Sequence, residues 1–363
     1  MSIDTTVLVT GGSGFLAAHT IAQLLSSGHA VRTTIRSPRR SADVRAMITA
    51  AGVDPTDRLT FTVADLTADA GWDDAMSGVS HVLHMASPFP PTTPTNDDEL
   101  VIPARDGTLR VLNAAHDAAV KRVVMTSSFA AIGYGHRSAG PFDETVWTDV
   151  KAPISAYVKS KTLAERAAWD FVDGEAGAPE FVVINPSGIF GPALGPDYSS
   201  SLNIVTALLE RRMPFLPDIS FGAVDVRDTA ALHIQAMTDP HVIGQRIIAA
   251  AGYISITDVA VILRTHLGSE AARVPTRHIS TSLLKLLAVF IGPLREVASD
   301  AGQRREPQLG KATQLLGWMP RPLTQTIVDT ALSLSERAAT IAKVNSVNPS
   351  SVPLCSTTSD ERP

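Results

Sequence analysis

Short β-branched runs alternate with longer amphipathic stretches through the first half of the chain, which predicts a parallel sheet covered by helices on both faces. The spacing predicts strands at Thr6–Thr10, Ala30–Ile35, Leu59–Val63, His81–Met85, Arg122–Thr126 and Phe181–Ile184. Helices are predicted between them at Phe15–Ser26, closed by Gly28, at Ser41–Ala50, closed by Gly52, at Asp97–Ala119 and at Ser155–Val172. After Pro186 the pattern loosens. A helix is expected at Leu202–Arg212, and two apolar runs, Gly222–Val226 and Arg246–Ala250, read as strands flanking a helix at Asp228–Met237. Further helices are expected at Thr257–His266, Thr281–Ile291 and Gln325–Ala342. The expected fold is therefore α/β: a doubly wound parallel sheet with a smaller, mostly helical C-terminal region. Its expected division is a sheet unit over residues 1–185, rejoined by 222–250, a second region over 186–221 and 251–342, and a disordered polar tail over 343–363.

Composition narrows the function. The 363 residues are 44% hydrophobic and 18% charged, as in ordinary globular proteins, and the net charge of −5 is well mixed. No nucleic-acid partner is expected, because the basic surface such binding needs is missing. The single cysteine, Cys355, lies in the polar tail, which rules out an intrachain disulfide and fits a reducing compartment. No signal-peptide pattern follows Met1. The longest apolar stretch, Leu283–Leu294, is broken by Lys285 and Pro293 and falls short of the ~20 residues of a spanning helix. The expectation is a cytoplasmic protein without membrane partners, either monomer or homodimer. The ten histidines show no HExxH spacing and no GxSxG elbow occurs, so neither a metal site nor a serine hydrolase is expected.

The sharpest local context is the first strand running into Gly11-Gly12-Ser13-Gly14-Phe15-Leu16-Ala17 and then a helix. Glycines here let the backbone turn tightly and approach a pyrophosphate, whose charge is held by amides at the positive helix N-terminus. Gly11 and Gly14 supply two of three expected small positions and Ala17 the third, which predicts a dinucleotide site. At the end of the second strand, where a carboxylate would bind a ribose 2′-hydroxyl, stands Ile35-Arg36-Ser37-Pro38-Arg39-Arg40. Arg36 and Arg40 there would pair with the 2′-phosphate of NADP(H); otherwise the run is a solvated basic loop. Asp65 is placed to meet the adenine amino group, and equally to cap the next turn.

Tyr157 and Lys161 stand one turn apart within a predicted helix, so the ammonium can sit below the phenol and lower its pKa, making it a usable acid. Without the upstream glycine turn, such a pair would be an ordinary surface contact. Thr126-Ser127-Ser128 ends the fifth strand, where a hydroxyl can reach a substrate carbonyl. Ser128 is the favoured residue and Ser127 the alternative. His84-Met85-Ala86-Ser87-Pro88 and Asn185-Pro186-Ser187 should border the same crevice. Phe89, Phe129, Phe190, Tyr198 and Phe221 are candidates for an apolar substrate wall, or are simple core.

The ordered set TGGSGFLAAH, Asp65-Leu66, HMASPF, TSSFAAI, YVKSK, NPSGIFGP, VDVRD and KATQLLGW resembles the extended short-chain dehydrogenase/reductases. Within them it is most similar to the branch of dihydroflavonol reductases, cinnamoyl-CoA reductases and microbial aldehyde or ketone reductases. The resemblance implies NADP(H) held by Gly11, Ser13, Gly14, Phe15, Leu16, Arg36, Arg40, Asp65, Leu66, Ala86, Ser87, Pro186 and Ser187 together with Tyr157 and Lys161. It also implies a triad of Ser128, Tyr157 and Lys161 that reduces the carbonyl of a small aldehyde or ketone. ISAYVKSK lacks the Trp-Tyr-Cys surroundings of plant cinnamoyl-CoA enzymes, which argues against CoA thioesters. The alternatives are a nucleotide-sugar epimerase or dehydratase, with Arg211, Arg212 and Arg273 as its diphosphate clamp, and a non-catalytic NADP-sensing regulator.

Overall fold

Val7 and Val9 pack into one hydrophobic core and Leu8, between them, into another, so the first strand is buried on both faces. That strand, β1 (Thr6–Val9), lies inside a seven-stranded sheet with β2 (Ala30–Ile35), β3 (Leu59–Val63), β4 (Val79–His84), β5 (Arg122–Thr126), β6 (Glu180–Pro186) and β9 (Arg246–Ala249). The order is β3-β2-β1-β4-β5-β6-β9, and every neighbouring pair is parallel. This computed structural model describes residues 6–55, 57–88, 96–136, 138, 140–196, 199–292 and 294–347.

Helices Phe15–Ser26, Arg40–Ala50 and Val226–Thr238 cover one face through Ile21, Ile48 and Leu232. Helices Trp72–Met76, Asp98–Asp117 and Ala156–Gly174 cover the other through Trp72, Leu112 and Ala164, which meet Leu8, Val82 and Phe181. The chain is thus a doubly wound α/β fold. Strand order reverses between β1 and β4, and a crevice opens at their carboxyl ends.

Beyond β6 the chain turns into a second sheet of β7 (Gly188–Phe190), β8 (Ser220–Asp225) and β10 (Gly252–Ser255), ordered β10-β8-β7. Helices Leu202–Leu209, Ile256–Leu267 and Leu323–Val347 pack on it around Phe190, Val205, Leu263 and Ile327. The expectation that 222–250 rejoins the first sheet is therefore half corrected. β9 does so in register with β6, whereas β8 pairs with β7 and β10. Apolar content marks a strand without naming its partner. Periodicity also missed β7, β10 and the short helices Trp72–Met76, Leu294–Asp300 and Lys311–Leu316, which are too brief to show a period. The helix from Leu202 stops at Leu209, ahead of Arg211 in a left-handed conformation (φ 57°). The last helix runs through Val347, so the tail boundary expected at 343 falls inside it, and 348–363 lie outside the described residues.

Candidate active site at the switch point

The first βα turn is shaped by what cannot fit there. Gly11 has φ +72°, and a Cβ on it would sit 3.0 Å from the Ala86 Cα; one on Gly12 would overlap the Thr33 hydroxyl. Helix Phe15–Ser26 starts from Gly14 with no side-chain cap, leaving its first amides to a ligand. Thr10 ties β1 to β4: its hydroxyl accepts Met85 N at 3.0 Å and Ala86 N at 2.9 Å and lies 2.9 Å from His84 Nδ1. With both lone pairs taken, Thr10 donates its proton to an imidazole that is neutral, and burial accordingly lowers the His84 pKa to about 3. Ala86 is thereby brought against the glycine turn, with the exposed Ser87 next in the chain. Leu16 is buried, while Ser13 and Phe15 are half-buried.

Arg36 follows β2 directly and is exposed, while Arg40 opens the next helix and pairs with Asp43 at 3.3 Å. Asp65 takes the capping alternative: its Oδ1 accepts Thr67 N at 2.8 Å and the Thr67 hydroxyl at 2.7 Å. These two bonds hold the carboxyl below its usual range, burial opposes them, and Arg36 and Arg110 add to the lowering. Leu66 packs partly into the core beneath.

Ser155 caps helix Ala156–Gly174, which carries Tyr157 and Lys161 at its start. The Tyr157 hydroxyl donates to Ser128 Oγ at 3.5 Å, and Ser128 caps the turn Phe129–Ala131 by accepting Ala130 N at 3.1 Å. Lys159, two residues on, is drawn away by Asp97 at 2.5 Å. Burial lowers the Lys161 pKa to about 8, with Glu165 opposing. One sequence-based expectation is corrected. Burial raises the Tyr157 pKa above its ordinary value and the Ser128 contact alone offsets it, whereas the charge of Lys161 is felt at His84 rather than at the phenol.

Ser127 and Ser128 have different surroundings. The Ser127 hydroxyl donates to Glu165, a fully buried carboxylate that also accepts Asn185 Nδ2 at 2.7 Å and Arg246 Nε at 2.5 Å. Arg246 in turn donates to the carbonyls of Glu144 (2.6 Å) and Val146 (2.8 Å) and stacks on Trp147 at 3.7 Å. This hub escaped sequence reading, although Glu165 falls one turn after Lys161 and so shares its face.

Ser128 and Tyr157 open into a cavity of about 240 Å³ whose walls include Phe129, Tyr134, Ser187, Ile189, Ser199, Ser201, Phe221 and Arg305. Phe129 and Phe221 stand where an apolar wall was expected. Phe190 does not: it is fully buried, stacked behind Phe221 at 5.8 Å. Phe89 and Tyr198 lie outside the described residues. Ser199, Ser201 and Arg305 were not anticipated, since only tertiary folding brings them here. Ser187 Oγ, beside Pro186 at the end of β6, is buried without a hydrogen-bond partner among the described residues. With the uncapped helix and the glycine turn, it leaves donors and acceptors for a dinucleotide along the crevice. Arg211, Arg212 and Arg273 are exposed and line none of this cavity, and Arg212 pairs with Glu210 at 2.7 Å. No cluster of metal-ligating side chains occurs among the described residues, and no described helix is long and apolar enough to cross a membrane.

Residues 7–250 match the model of the NAD dependent epimerase/dehydratase family. The chain is 37% identical over 265 residues to tetraketide alpha-pyrone reductase 2 of Arabidopsis thaliana, covering 71% of this chain and 81% of that one. It is 30% identical to the ketoreductase azaE of Aspergillus niger, covering 93% and 99% of the two chains. Among solved structures it resembles yeast methylglyoxal/isovaleraldehyde reductase Gre2 complexed with NADPH, with a TM-score of 0.76 and 26% identity, covering 92% of this chain and 99% of that one.

Proposed function

The chain belongs to the NAD-dependent epimerase/dehydratase family, among the extended short-chain dehydrogenase/reductases, and on that premise we propose that it is an NADPH-dependent reductase that converts an aldehyde or ketone to the alcohol. The observation that carries this reading is the 3.5 Å contact between the Tyr157 and Ser128 hydroxyls at the wall of the cavity, with Lys161 one turn below and the glycine turn at the same end of the sheet.

NADPH supplies the hydride when bound. Gly11 to Leu16 would hold its pyrophosphate and Arg36 and Arg40 its 2′-phosphate, and Ser187, whose hydroxyl has no partner among the described residues, would be open to its nicotinamide end. The work of this chain is at the carbonyl oxygen. Ser128 and Tyr157 donate hydrogen bonds to it, where negative charge grows as the carbon is reduced. Tyr157 then gives up its proton. An ordinary phenol is protonated at neutral pH, as an acid must be. Lys161, cationic below about pH 8, would hold the ribose hydroxyls of the cofactor.

The epimerase reading needs a diphosphate clamp, and the three arginines expected to form one lie away from the cavity. The deciding experiment follows NADPH oxidation against aldehydes, ketones, acyl-CoA esters and UDP-glucose, with Tyr157→Phe as the control. Reduction of carbonyl compounds that is abolished in the variant is the expected result. Turnover of UDP-glucose with no oxidation of NADPH by any carbonyl compound overturns the proposal.

A further inference from the structure

Among the described residues that line the cavity with Ser128 and Tyr157, one carries a charge, Arg305. Its guanidinium lies over the Tyr134 ring, 4.3 Å from the centroid, and Nη1 donates to Asp300 at 2.8 Å. Its backbone is fixed as well. Arg305 N donates to the Tyr253 hydroxyl at 3.1 Å, and just beyond it Phe142 N donates to Glu306 O and Gln308 N to Phe142 O, both at 2.8 Å. Gly222 lets this segment come in close, because a Cβ there would meet the Pro307 ring at 2.9 Å.

An arginine stacked and clamped in this way has lost most of its freedom before any ligand arrives, so binding through it costs little further entropy. A guanidinium has five N–H donors, and Asp300, 43% exposed, screens only part of its charge. Tyr134 links this end of the cavity to the reacting end: burial pushes its phenol up to about 12, with Arg305 opposing and Asp300 and Tyr157 adding. Phe129, Ile189 and Phe221 offer apolar wall along the way, and Ser199, Ser201 and Ser220 offer hydroxyls.

We propose that Arg305 is a specificity residue that receives a carboxylate on the substrate, remote from the reacting carbonyl, so that the preferred substrates are oxo-acids rather than neutral aldehydes and ketones. The planar fork of donors matches a carboxylate, and a site built to bond a polar group discriminates strongly against analogues that lack it. The inference rests on the carbonyl-reductase reading above and refines its substrate class.

The test compares 4-oxo-4-phenylbutanoate with its methyl ester as substrates of the full chain with NADPH. The acid should have at least a tenfold higher kcat/KM. That ratio should collapse toward one in Arg305→Met and recover in part in Arg305→Lys. An acid-to-ester ratio near one in the wild type, or a ratio unmoved by Arg305→Met, overturns the carboxylate proposal while reduction of the ester leaves the reductase reading standing. If neither compound is reduced, calorimetric titration of the acid into the protein with NADP⁺ decides. Binding that is lost in Arg305→Met supports the carboxylate site, and its absence in the wild type overturns it. The reductase reading is judged separately by the wider carbonyl panel.

Discussion

Arg246 donates to Glu165 at 2.5 Å in the core directly behind the catalytic candidates, joining the last strand of the sheet to the helix that carries Tyr157 and Lys161. Glu165 is fully buried and Arg246 nearly so. The same carboxylate receives Ser127 from β5 and Asn185 from β6, and Asn185 Nδ2 also donates to the Ser128 carbonyl at 3.2 Å. Three strand ends and one helix are thus held in register around a single carboxylate. Such a buried pair is a costly way to gain stability, and its use here is positional.

Glu165→Gln should show both roles. Leaving Arg246 buried without its counter-charge should cost about 3–5 kcal/mol, visible as a lower urea midpoint. Glu165 also opposes the burial that brings Lys161 down to about 8, so its neutralisation should push Lys161 lower still. Since the ammonium is the active form, wild-type kcat should fall as pH rises through about 8, and in the variant this limb should move to lower pH. An alkaline limb at the same pH in both proteins would contradict the coupling.

The two adjacent serines should separate in kind. Ser128→Ala removes the hydroxyl proposed to bond the reacting carbonyl, and kcat should drop about a hundredfold with little change in Tm. Ser127→Ala instead leaves the buried Glu165 short of one donor, which should cost about 1–3 kcal/mol of stability and less activity. Steady-state kinetics and thermal melts on both variants check this. A larger loss of kcat in Ser127→Ala would exchange the roles.

Most of the sheet was legible because buried parallel strands are short runs rich in β-branched residues, as Ala30–Ile35 and Arg122–Thr126 are, and their helices are long enough to show a period. The glycine turn and the Tyr157–Lys161 pair were legible for the same local reason, since each is complete within one βα turn or one helical turn. What failed was nonlocal. Nothing near Arg305 says that it will lie over Tyr134 or share a cavity with Tyr157, and nothing near Arg246 marks it as the partner of Glu165. Phe190 was misplaced because a sequence gives the residue that ends a strand without saying which face it takes. The Tyr157 pKa shifts opposite to the expected direction because spacing reports proximity along a helix, whereas desolvation of the phenol raises it and only the Ser128 contact opposes.

Cofactor preference should follow the loop after β2. If Arg36 and Arg40 meet the 2′-phosphate as proposed, kcat/KM should favour NADPH over NADH, and Arg36→Ala should lower that preference by about tenfold, in line with a charge-assisted contact of roughly 1.5–3 kcal/mol. Arg40 should contribute less, because Asp43 already pairs with it at 3.3 Å. Equal use of the two cofactors by the wild type, or an unchanged ratio in Arg36→Ala, would remove this loop from the cofactor site.

Acid should destabilise the fold well before carboxylates titrate. Burial lowers His84 to about 3 and His19 and His233 to about 4, from an ordinary 6.5. The hydrogen bonds agree: His233 lies 2.8 Å from both the Thr229 carbonyl and the Thr126 hydroxyl, an arrangement that a neutral ring satisfies as donor to one and acceptor from the other. Because the folded values are depressed, the unfolded chain binds these protons first. The stability from neutral histidines is complete above about pH 6.5 and is lost as pH falls from there toward 4, at up to about 1.4 kcal/mol per pH unit for each ring. The carboxylates with resolved shifts, Asp65, Asp143 and Asp239, are lowered below 3.8, so the stability they contribute above that pH is lost only in stronger acid. Urea midpoints should therefore decline steadily between pH 6.5 and 5, and because burial also lowers His81, His19→Gln, which removes one of four such rings, should flatten the decline by about a quarter. A midpoint constant over that range would mean that these histidines are protonated in the fold, and with them the neutral His84 on which the Thr10 tie between β1 and β4 depends.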